Sequence, residues 1–187
     1  MLNVRTFDKR SMNVHKQRIA RWCALCLTAL IAFPASAWGP KTQTSVVMSS
    51  GRMFAHRTSL TKSQFQQYLK QGVLLSAEEE QTLFLDYSVN PISSIQREIY
   101  LLQAVRPERI DPYYAYRMGA LGKKVVELVS PMRTAASEVR DPYYSDVEKA
   151  ISGTALTAKA PKLVDPAAYF ELMTRAAAEN DRLITYD

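Results

Sequence analysis

Apolar residues recur at helical steps through most of the chain beyond residue 40. Ile95, Ile99, Leu102 and Val105 fall three or four apart. Tyr116, Leu121, Val125 and Leu128 nearly do, as do Phe170, Met173, Ala177 and Ile184. Such steps line side chains along one stripe of an α-helix. No long apolar–polar alternation bounded by a hairpin turn occurs, so strands are not expected.

The polar residues between these stripes supply helix starts. Gly39-Pro40 precedes KTQTSVVMSSGRMFA, and proline fits a first turn because its missing N–H has no intrahelical partner there. Thr61-Lys-Ser-Gln64 and Ser76-Ala-Glu-Glu79 are capping boxes, in which hydroxyl and N3 side chain satisfy two free amides reciprocally. The helix FQQYLKQ follows the first box and Gly72 is expected to stop it. Asn90-Pro91 opens ISSIQREIYLLQAV. Asp-Pro at 111, 141 and 165 opens three more, each Asp capping free amides at the positive end of the helix dipole. The spacings of 30 and 24 residues are unequal and the segments diverge after their aromatic pair, so they share start chemistry and are not a solenoid repeat. Tyrosines near helix starts fit a core rim, with the ring packed and the hydroxyl reaching water. The pattern predicts an all-α bundle of about six or seven helices.

The first 37 residues do not fit that scheme. A basic stretch ends at Arg21, an apolar run spans Cys23 to Phe33, and Pro34 leads into Ala35-Ser36-Ala37. This is the order of a cleavable signal peptide, and the run is short of the roughly 20 residues that span a bilayer. No Arg-Arg pair marks twin-arginine export, so the Sec route is expected, with a periplasmic or secreted product. Met12 would make a more ordinary start. Cys23 and Cys26 lie inside the apolar run, where a redox or metal role for the pair is disfavoured, and the mature chain contains no cysteine. The expected domains are a signal peptide over 1–37 and one helical domain over 38–187. The last apolar stripe is still in progress at Ile184 and Tyr186. Residues 38–187 therefore read as either a whole domain or the N-terminal part of a longer one.

The formal charge of +6 changes meaning once it is located. Arg5, Lys9, Arg10, Lys16, Arg18 and Arg21 against Asp8 place +5 in the leader, which leaves +1 on the other 150 residues. A body so near neutrality carries no net footprint for nucleic acid.

Cleavage after Ala37 would make Trp38 the new N-terminus, followed by Gly-Pro-Lys-Thr-Gln. This start resembles that of mature bacterial zinc-dependent phospholipases C and related fungal zinc nucleases, which are secreted and all-helical. Many bacterial members begin Trp-Gly-x-x-Thr-His. The resemblance implies a zinc site in which the freed α-amine and carbonyl of Trp38 chelate the metal, with phospholipid or another phosphodiester as substrate. Asp86 is the carboxylate carried forward as a further candidate ligand. The chain departs from the pattern at Gln43, which stands where the family has histidine, and glutamine is a poor zinc ligand. The family's His-x-x-x-Asp and His-x-x-x-Glu pairs are absent too. His56 is the sole histidine of the mature chain and reads as a solvated end-of-helix residue. Glu78, Glu79 and Glu80 read as a solvated first-turn run that favours the helix dipole. Two functions stay open: a metal-assisted phosphodiesterase of phospholipase C type, inactive as this chain alone, and a non-catalytic exported helical protein that binds or scaffolds.

Overall fold

The computed structural model describes residues 38–105, 110–160, 162–181 and 184. The expected signal peptide, with Cys23 and Cys26, lies outside these residues, as does the end of the chain beyond Ile184. The described residues are mainly helical, with turns, one isolated bridge and a non-helical stretch over 154–160 and 162–165 between them. The helices are α1 (Pro40–Gly51), α2 (Lys62–Val73), α3 (Ala77–Leu83), α4 (Pro91–Ala104), α5 (Pro112–Leu128), α6 (Ser137–Ala150) and α7 (Pro166–Asp181). Short 3-10 turns follow α1 over Arg52–Arg57 and α6 over Ile151–Gly153. No described helix is long and apolar enough to cross a membrane.

Most starts form as their local chemistry dictates. Both capping boxes are complete: the Gln64 amide donates to Thr61 Oγ1 at 3.2 Å and the Glu79 amide to Ser76 Oγ at 3.2 Å, with both N3 side chains reaching back. Asn90, Asp111 and Asp165 accept from the amides of Ser93, Tyr114 and Ala168 at 3.1, 2.7 and 2.9 Å.

Three expectations need correction. Asp141 does not start a helix. Helix α6 begins at Ser137, and Asp141-Pro142 lies inside it, with Asp141 accepting from Arg140 Nε. The cause is upstream. The same Asp-Pro-Tyr-Tyr opens α5 because Ile110 is held extended, its amide donating to the Arg57 carbonyl at 2.9 Å in an isolated parallel bridge between Thr58 and Ile110. No such tie precedes Asp141, and Ser137-Glu-Val-Arg140 enters the helix directly, Glu138 favouring the dipole of its first turn. Gly72 does not stop α2, which runs to Val73. It is buried against α5, and an added Cβ would meet the Tyr116 carbonyl oxygen, with the Ala120 amide nitrogen at 2.8 Å. Val105 does not join the core stripe of α4; it lies past the helix end and is 65% exposed.

Helix α5 organises the interior. Its Ala115 and Val126 join Val47 of α1 and Phe65, Leu69 and Val73 of α2 in one apolar cluster. Its Ala120 meets Leu75 and Phe84 in a second, and its Leu128 meets Ile95 and Phe170 in a third, which docks α4 and α7. The α2–α5 crossing is close because glycine faces glycine. A Cβ on Gly119 would meet the Leu69 carbonyl and lie 3.1 Å from Gly72 Cα. These residues belong to one compact unit, Ala37–Asp187.

Candidate functional site

Trp38, the first described residue, is half-buried against the α1–α2–α5 cluster. Its Nε1 is buried without a well-aligned hydrogen bond, yet lies near enough to the Tyr143 hydroxyl to offset part of that phenol's rise. Burial is the larger influence on Tyr143 and pushes its pKa up. The adjoining Gly39 has no side chain with which to cap α1. Glu148 of α6 does so from more than a hundred residues away. Its carboxylate accepts from the Thr42 amide at 2.7 Å and the Lys41 amide at 3.2 Å. A Cβ on Gly39 would lie 2.8 Å from Glu148 Oε1, so glycine is what admits the carboxylate. Trp-Gly-Pro is thus a packing and capping device: the indole anchors, the glycine yields space, and the proline opens the helix.

The other expected site residues lie elsewhere. Gln43 is buried in the first turn of α1. Asp86 sits in the turn after α3 and pairs with Arg97 Nη1 at 3.0 Å, both side chains well exposed. Trp38 and Asp86 are not brought together by any described contact. His56 is exposed in the last turn of the 3-10 segment. Among the described residues no three His, Cys, Asp or Glu side chains gather into a metal-sized group. Glu148 is engaged with amides and Asp86 with a guanidinium, so the donor set described does not fit a zinc ion.

Sequence reasoning missed two charged clusters. Glu80, expected to be solvated, reaches across to Lys123 and Lys124 of α5. Lys124 Nζ also donates to Glu127 at 2.8 Å and lies 4.2 Å from the centre of the Tyr87 ring. Burial raises the Tyr87 phenol and lowers the Lys123 ammonium, the latter opposed in part by Glu127. In the second cluster Arg117 grips Glu98 with both arms, Nε to Oε1 at 2.8 Å and Nη2 to Oε2, while Nη1 donates to Tyr113 at 2.7 Å. Burial alone would lower Arg117; the hydrogen bonds to Glu98 and Tyr113 outweigh it and raise the guanidinium. Each cluster cancels its own charge and ties α5 to α3 or α4. The signal for Glu98 is visible after the fact: Ser94, Ile95, Glu98 and Leu102 share the buried face of α4.

Concave surface occurs beside α1. A pocket of about 300 Å³ opens between α1, the 3-10 turn and α5, lined by Val46, Ser50, Phe54, Met118, Leu121 and Val125 among others. None of its lining residues ionises. A second, of about 500 Å³, lies on the α2 side of α1 and is lined by Met48, Phe65 and Leu69 together with Arg52, Lys62 and Gln66.

No family model matches the chain, and neither the curated proteins nor the solved structures yield a match.

Proposed function

We propose that the chain is an exported helical protein that binds and does not catalyse. One observation carries this reading. The pocket between α1 and α5 is lined by residues none of which ionises, whereas several of the charged groups at the helix contacts are engaged by other parts of the fold. Lys124 is held by Glu80 and Glu127, Arg117 by Glu98, Asp86 by Arg97, and Glu148 by two helix amides. A general acid or base must be able to give or take a proton from a bound substrate. Arg117 and Lys124, paired on the flanks of α5, hold helices together instead. Small-molecule sites are predominantly apolar concavities with few polar groups, which is the character of the pocket between α1 and α5.

The resemblance to the start of zinc-dependent phospholipases C fits this reading as a relic: a Trp-Gly-Pro start kept for packing after the metal ligands were lost. Metal analysis of the purified exported protein, paired with a phosphodiesterase assay, tests the proposal. Folded protein without bound zinc and without hydrolysis is expected; stoichiometric zinc together with hydrolysis overturns it.

A further inference from the structure

The charge of the near-neutral body is unevenly placed. Residues 38–77 contain Lys41, Arg52, Arg57, Lys62 and Lys70 and no Asp or Glu, a formal +5. With +1 on 38–187 as a whole, residues 78–187 carry −4. Every ion pair among the described residues takes its cation from Arg97 or later in the chain.

Two cations of the basic segment share one concavity. Arg52 and Lys62 both line the space of about 500 Å³ on the α2 side of α1, and both are exposed. Met48, Phe65, Leu69 and Gln66 line it with them, and no carboxylate does. Gly51 packs directly on Leu69, which separates this concavity from the pocket between α1 and α5. A ligand here must therefore be held within this one space. The fold treats another pair of cations differently. Lys123 and Lys124 share the carboxylate of Glu80. Like charges facing one space repel, and a carboxylate between them offsets that repulsion. Arg52 and Lys62 have no such acid, so a ligand can supply it.

We infer that this concavity binds a compact aromatic carboxylate, an inference that rests on the binding reading proposed above and adds a second site to it. A guanidinium can offer two parallel N–H donors to a carboxylate, and the ammonium of Lys62 adds a mobile point charge. The Met48 thioether and the Phe65 ring are favourable neighbours for an aromatic ring. A ring also gains by leaving water in proportion to the apolar area it buries. A bare inorganic anion would leave Met48, Phe65 and Leu69 unused, and a cationic ligand would meet two like charges. A long alkyl chain has no route onward, because the contact of Gly51 with Leu69 closes that side.

Titration of the purified exported protein with naphthoate, followed by amide chemical shifts, tests the inference. Saturable one-to-one binding with a Kd of about 1 mM or below is expected, with the largest shifts at the amides of Arg52, Lys62 and Gln66. Acetate, the same head without a ring, should bind about tenfold more weakly or worse. The R52Q/K62Q double variant should weaken naphthoate about tenfold or more. Gln66→Glu, which installs the missing acid beside the two cations, should weaken it similarly. The control is K41Q/K70Q, which removes two charges of the same segment from outside the concavity; exposed charges are screened over about 8–10 Å at ordinary salt, so its effect should stay within about twofold. Far-UV circular dichroism and the melting temperature confirm that each variant is folded. Equal weakening by the two double variants overturns the inference, as does acetate binding as tightly as naphthoate. So do shifts centred on the pocket between α1 and α5, or no saturation by the folded parent. Those failures leave the broader reading standing, because that reading falls only on zinc with hydrolysis.

Discussion

Replacing Gly72 by alanine tests the account of how α2 meets α5. In an exposed helix the change would be favourable by about 1 kcal/mol, since glycine is the poorer helix former. Gly72 is not exposed. The new methyl would meet the Tyr116 carbonyl oxygen, with the Ala120 nitrogen at 2.8 Å and the Tyr116 carbonyl carbon at 2.9 Å. Unstrained carbon contacts lie at about 3.5–4.0 Å, so the helices must part by on the order of 1 Å. All three obstacles are backbone atoms, and no rotamer change relieves them. Overpacking costs roughly 1–3 kcal/mol, and the rigidity of the obstacle argues for the upper end. Set against the helix-propensity gain, the net loss is about 2 kcal/mol. For a domain near this size each 1 kcal/mol shifts the melting temperature by about 2–4 °C, so a fall of about 4–8 °C is expected. Thermal unfolding by far-UV circular dichroism reads it. Gly153→Ala is the control: a Cβ there meets nothing within 4 Å, and its stability should match or slightly exceed that of the parent. A Gly72→Ala protein that melts at or above the parent temperature would refute the glycine-to-glycine crossing. Because Gly119 faces Gly72, the G72A/G119A pair should cost less than the sum of its members.

Two further outcomes follow from the tertiary contacts. Glu148→Ala should cost about 0.5–2 kcal/mol, the usual worth of a helix cap, and hydrogen exchange should quicken at the Lys41 and Thr42 amides while Trp38 fluorescence moves to the red; unchanged exchange there would contradict the capping role. Tyr144, whose hydroxyl donates to the Pro131 carbonyl at 2.8 Å, has its pKa pushed up to about 12, chiefly by burial. The folded-state value lies above the unfolded one, so its contribution is complete below pH 10 and is lost as pH rises from about 10 towards 12. Tyr144→Phe should cost about 1 kcal/mol at neutral pH and flatten the alkaline limb of stability against pH, and an unaltered limb would assign that limb to other groups.

The helix starts were legible because their cause is local. Thr61 finds Gln64, and Ser76 finds Glu79, within a single turn of chain, so spacing alone implies the hydrogen bonds. Asp111 and Asp141 mark where that legibility stops. Both head the sequence Asp-Pro-Tyr-Tyr, yet the first opens a helix and the second lies within one. The difference comes from the bridge between Thr58 and Ile110, which pairs residues about fifty apart. Gly72 was misread for the same reason. A glycine that ends a helix and a glycine that admits another helix look alike until the neighbour is known.

The candidate site followed a similar course. Trp38, Gly39 and Pro40 stood out in the sequence, and each has a role, but the partner that explains Gly39 is Glu148, far along the chain. Glu80 looked like a solvated member of an acidic run and is tied to Lys123 and Lys124. Sequence by itself determined that the chain is helical, where most helices begin, and that the body beyond residue 37 has almost no net charge. These properties depend on groups a few residues apart, or on totals, and neither requires knowing what packs against what. Only the tertiary structure decided which carboxylates are engaged, which glycines are contacts, and that Arg52 and Lys62 make no ion pair among the described residues. Pairing, burial and close approach are properties of surfaces brought together, and a linear order of residues does not contain them.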